Sequence, residues 1–87
     1  MSRYRKNPVV IDAVTWYGKY NEPTEWPEWF RQAIEDNEIK PYNDGTLLVR
    51  TWEGTIFATP GDMIIRGVEA EIYPCKPSVF AATYEPE

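Results

Sequence analysis

From Asn43 onward a turn signal interrupts the chain every few residues, and this punctuation limits what it can fold into. Asn43-Asp44-Gly45 separates residues 39–42 from 46–52, and Glu53-Gly54 leads into 55–59. Pro60-Gly61-Asp62 then precedes 63–66, and Gly67-Val68 precedes 69–76. Short runs of β-branched and apolar residues joined this tightly predict an antiparallel meander. In Pro60-Gly61, proline fixes φ at the first central position and glycine permits a positive φ at the second, so a type II turn is expected.

Before this region the chain supplies one strand and one helix. Residues 9–17 form a β-branched and aromatic run closed by Gly18, with Asp12 its only charge. Alternation puts Val10, Asp12, Val14 and Trp16 on one face and Val9, Ile11, Ala13 and Thr15 on the other. The second face lacks the charge and is expected to meet the core. Trp26, Trp29, Phe30, Ala33 and Ile34 then recur at helical spacing, which predicts an amphipathic helix over 25–36 with Thr24 as its cap. Its aromatic stripe reads as a face docked on the sheet rather than a ligand box. Residues 76–84 begin with Lys76-Pro77 and carry Val79, Phe80 and Thr83 at helical spacing, so a short helical turn closes the chain. The expected architecture is α+β: a small antiparallel sheet of about five short strands, one helix packed on it and a C-terminal helical turn.

At 87 residues the chain fits one domain, and residues 1–87 are assigned to it. So small a core gives only about 3–5 kcal/mol of net stability, which makes a homo-oligomer the expected support. The single cysteine, Cys75, excludes an internal disulfide and any multi-cysteine zinc site. No run approaches the ~20 apolar residues of a membrane span, and no apolar segment follows the basic start. A soluble, unprocessed cytoplasmic protein is expected, with no membrane partner.

A net charge of −5 opposes general binding of duplex nucleic acid. The charge is uneven: Arg3, Arg5 and Lys6 lie within the first eight residues, while six acids between Glu22 and Glu38 face Arg31 alone. The basic start reads either as a solvated tail or as an anion-attracting patch.

Ordinary catalytic equipment is missing from the sequence. There is no histidine, which removes the usual base near neutral pH and the Ser-His and Cys-His pairs. No nucleotide-binding or metal-binding motif accompanies Asp12, Asp62, Glu69 and Glu71. Asp62 can bond amides of its own turn, and Glu69 and Glu71 are expected on the outer face of a strand. Cys75, between Pro74 and Lys76, reads as a packing residue. A protein without enzymatic activity, cofactor or metal is expected.

Two stretches resemble a family of short proteins found throughout phages and prophages. The first is Tyr4-Arg5-Lys6-Asn7-Pro8-Val9-Val10-Ile11-Asp12-Ala13-Val14-Thr15-Trp16. The second combines Pro60-Gly61-Asp62-Met63-Ile64-Ile65-Arg66-Gly67-Val68 with Glu71-Ile72-Tyr73-Pro74-Cys75-Lys76-Pro77-Ser78-Val79-Phe80-Ala81-Ala82-Thr83-Tyr84-Glu85. Within the family the position of Met63 is more often Tyr or Trp, and that of Ala70 is often Gly. The resemblance implies an accessory protein acting in the cytoplasm of an infected or lysogenic bacterial host, and it transfers no catalytic or binding residue.

Two functions are open to such a chain. The first is anti-defence by sequestration: an oligomer holding a nucleotide-derived immune signal between aromatic faces and basic side chains. Its ligand-binding candidates are Arg3, Arg5, Trp16, Arg50, Trp52, Arg66, Tyr73 and Lys76, each of which also has an ordinary reading as core, strand surface or tail. The alternative is a protein-binding module, either a virion or regulatory accessory or a direct inhibitor of a host protein. For that role the acidic helix, with Glu25, Glu28, Glu35, Asp36 and Glu38, offers a negative surface.

Overall fold

Strand pairing in the computed structural model, which describes residues 9–86, divides the β-structure between two sheets. The order is β1 (Asp12–Thr15), a 3₁₀ turn (Pro23–Glu25), α1 (Glu28–Glu35), β2 (Ile39–Pro41), β3 (Leu47–Thr51) and β4 (Gly54–Ala58). β5 (Met63–Arg66), β6 (Ile72–Cys75) and α2 (Pro77–Thr83) follow. One antiparallel sheet is the expected meander, β2-β3-β4, and the other has the order β1-β5-β6. The α+β class stands, but six strands in two three-stranded sheets replace the single sheet of about five. Among the described residues no helix is long and apolar enough to cross a membrane.

The meander breaks between β4 and β5, and the turn at Pro60-Gly61 is the reason. Its geometry fits the type II expectation: Gly61 has φ +99°, and the Asp62 N–H donates to the Thr59 carbonyl at 3.0 Å. The turn does not fold β5 back on β4. Instead the Gly61 N–H donates to the Trp16 carbonyl at 2.6 Å, and the Trp16 N–H donates to the Asp62 carbonyl at 2.8 Å. β5 is thereby committed to β1, with Ala13 opposite Ile65 and Val14 opposite Ile64.

The expected core face of the first strand is corrected. Only at its C-terminal end does the strand bury a face: Trp16 is 0% exposed and Val14 packs against the same cluster, while Val10 and Asp12 of that face are exposed, as are Val9 and Thr15 of the other, where Ile11 and Ala13 are half-buried. Asp12 misleads because it sits at the end of β1, at the surface, with its carboxylate 3.7 Å from Arg66. One terminal charge does not decide which face of a strand is buried.

The core is formed by Trp16 and Ile64 from one sheet, Ile39, Leu47 and Val49 from the other, and Trp26, Phe30 and Ala33 from the helical segment. Trp26 and Phe30 stack at 4.4 Å between ring centroids, so the aromatic stripe of the helix docks on the sheets. α1 starts three residues later than expected. Pro27, not Thr24, occupies the N-cap and supplies no side-chain hydrogen bond, because Pro23–Glu25 coil into a 3₁₀ turn first. The helix ends as a Schellman motif: Asn37 has φ +64°, its N–H donates to Ile34, and the Glu38 N–H donates to Ala33. At the far end α2 spans seven residues, two turns rather than one, and sets the Tyr84 hydroxyl 3.2 Å from that of Tyr73.

Candidate functional site

Two hairpin tips carry the site. β3 ends one residue earlier than the sequence pattern suggests, so Trp52 and Glu53 form the turn and Gly54, with φ +127°, opens β4. This shift lifts Trp52 out of the sheet and leaves it 79% exposed. At the second tip β6 starts at Ile72 instead of at residue 69, because the chain spends Gly67 to Glu71 turning. The Gly67 N–H donates to the Glu71 carbonyl at 2.8 Å, the Ala70 N–H to the Gly67 carbonyl at 3.1 Å, and Ala70 takes φ +65°. Neither Glu69 nor Glu71 is therefore a strand residue, against the expectation that both lie on the outer face of a strand. The Glu71 carboxylate folds back to accept the Glu69 N–H at 2.9 Å and covers Gly67 so closely that a Cβ there would collide with it.

Between the tips lies an open groove of about 760 Å³. Trp52, Ile56, Ile72, Tyr73 and Pro74 give it apolar surface, while Glu38, Glu53, Glu69 and Glu71 supply carboxylates and Arg50 is the one cation among the described residues that line it. Arg50 is held: its Nε donates to the Asn37 carbonyl at 3.0 Å, at the negative end of α1. Burial, followed by the neighbouring Tyr84 hydroxyl, pushes the Tyr73 phenol above the usual tyrosine range, so it remains a neutral hydrogen-bonding group.

Of the eight residues singled out in the sequence, the groove unites three: Arg50, Trp52 and Tyr73. Trp16 drops out, since it is fully buried and its indole N–H donates to the Gly45 carbonyl at 2.8 Å. Arg66 pairs with Asp12 at 3.7 Å. Lys76 is committed to Asp62, with Nζ 3.0 Å from Oδ1 and 3.2 Å from Oδ2. Arg3 and Arg5 lie outside the described residues. Cys75 is half-buried, its thiol 3.5 Å from the Lys76 carbonyl.

Sequence reasoning missed Ile56, Glu53 and the turn acids as groove residues. A usable signal was present: acids sit at two turns, Glu53 in one and Glu69 in the other. What it lacked was the partnering of hairpins that belong to different sheets. Among the described residues no three of His, Cys, Asp and Glu gather closely enough to hold a metal ion, so the groove acids form a diffuse negative field. No family model, no curated protein and no solved structure matches the chain.

Proposed function

We propose that this protein is a non-catalytic capture module, an accessory of phage or prophage that holds a partner in the groove between its β3–β4 and β5–β6 hairpins. The observation that carries this reading is the convergence of Arg50 and Trp52 from one hairpin with Tyr73 from another on one open apolar groove. A sequence without histidine fits binding better than acid-base chemistry.

The charge of the groove favours a protein partner. Four carboxylates against Arg50 repel a phosphate and attract a basic surface. The exposed acids Glu25, Glu28, Glu35 and Asp36 on and beside α1 add further negative surface. Sequestration of a nucleotide-derived immune signal is the second reading. Two aromatic faces beside a guanidinium favour it, and it requires further cations from a second copy of the chain. β4 supports such an oligomer: it is an edge strand without a charge or proline, and Ile56 and Phe57 are exposed on it.

The deciding experiment places a photo-crosslinking amino acid at position 52, with position 79 as the exposed control, in cells carrying the host proteome. Native mass spectrometry of the protein from cells making cyclic nucleotide signals runs beside it. Protein capture gives a discrete host adduct from position 52 only, and no small-molecule mass. A small mass excess per subunit that is lost on denaturation would replace that reading with sequestration.

A further inference from the structure

We infer that the groove takes a cationic polypeptide segment flanked by apolar residues, with a Lys or Arg side chain laid along Trp52 or Tyr73 toward the acidic rim; this rests on the capture reading above. The apolar surface comes from both hairpins, so an occupant touches Ile56 on one side and Pro74 on the other. The rim acids form no ion pair with the described residues. The ion pairs among the described residues are Arg66 with Asp12 and Lys76 with Asp62, so among those residues no cation lies within 4.0 Å of Glu38, Glu53, Glu69 or Glu71.

Arg50 does not fill this role, because the Asn37 carbonyl anchors its Nε. A long basic side chain suits the place on two counts. Its methylenes cover apolar surface while its charged head stays in water, and an indole or phenol face attracts a cation. A carboxylate-bearing segment or a phosphate would meet four negative groups instead.

The test uses the full chain, labelled for amide NMR, and three probes. These are a pentapeptide amide alternating Arg and Leu, its twin alternating Glu and Leu, and a cyclic dinucleotide. The Arg peptide is expected to move the amides of Trp52, Ile56 and Tyr73 at about tenfold lower concentration than the twin. That preference should shrink severalfold between about 50 and 500 mM salt, as screening requires. The Glu53→Lys, Glu69→Lys double variant should lose it while keeping the rest of its spectrum.

If the twin moves the same amides equally, the groove captures by apolar contact alone and the charge assignment falls. If the cyclic dinucleotide moves them in place of the Arg peptide, capture stands with a ligand of opposite sign and the inference is overturned. If no probe moves them, the groove is not a capture site, and both readings fall together.

Discussion

The ammonium of Lys76 lies 3.0 Å from Oδ1 of Asp62, and Asp62 is 4% exposed at the turn that sends the chain from one sheet to the other. The same carboxylate accepts the Thr59 N–H at 2.9 Å. Asp62→Ala removes a buried acceptor, leaves that amide unmatched, and should cost about 1–3 kcal/mol. Lys76→Ala should cost less, because the lysine side chain is 64% exposed and its charge is already solvated. Urea unfolding of the two variants checks the order.

The pH dependence follows from the same carboxyl. Burial alone would raise its pKa, but the Thr59 amide and the Lys76 ammonium outweigh burial and hold it below the ordinary 3.8. The folded pKa is thus depressed. Its contribution to stability is present above the unfolded value and is lost as pH falls through the folded one. Relative to Asp62→Asn, the natural protein should lose its stability advantage only below about pH 4, which chemical denaturation across the acid range would reveal.

Ala70 carries a left-handed backbone, with φ +65°, that an L side chain adopts at a cost of about 1–2 kcal/mol. Glycine removes that cost and returns part of it as chain entropy. Ala70→Gly should therefore stabilise by about 0.5–1 kcal/mol, seen as a higher urea midpoint with an unchanged slope.

Trp16 and Trp52 stand at opposite ends of burial. Trp16→Ala empties a fully buried position and strands the Gly45 carbonyl, so a loss of about 3–5 kcal/mol is expected. Trp52→Ala at the exposed tip should stay within about 0.5 kcal/mol and remove most of the fluorescence quenched by acrylamide. Equal destabilisation by both changes would contradict the placement of Trp52 outside the core.

Self-association along the open edge of β4 should depend on Phe57, which is 55% exposed. Phe57→Lys introduces a charge of the kind that protects sheet edges. Sedimentation should show the variant shifted toward monomer at concentrations where the natural chain associates. Identical sedimentation of the two would remove β4 from the oligomer reading.

Much of this architecture was legible in the residues. The turn glycines located β2 to β4, because a positive φ is needed where they stand, as Gly45 at +94° and Gly61 at +99° illustrate. The Trp26, Phe30 and Ala33 stripe identified the buried side of the helical segment. What remained hidden was long-range. Nothing local tells Asp12–Thr15 to choose Met63–Arg66, or distinguishes a continuing meander from a change of sheet at Pro60-Gly61. The site suffered for the same reason: the aromatic and basic types were right for Arg50, Trp52 and Tyr73, but equally right for the buried Trp16 and the paired Lys76.

The pairing of β1 with β5 sets a timetable for folding. During synthesis Asp12–Thr15 must wait, unpaired, until the ribosome has released a partner some fifty positions later, from Thr15↔Met63 to Asp12↔Arg66. The β2–β4 ladder joins near neighbours and can close well before that. Docking of Trp16, whose backbone engages one sheet and whose indole engages the turn of the other, is then the step that converts a local hairpin assembly into a finished molecule. Late closure of this kind would leave Trp16 exposed on the nascent chain, an aromatic side chain for a chaperone to hold.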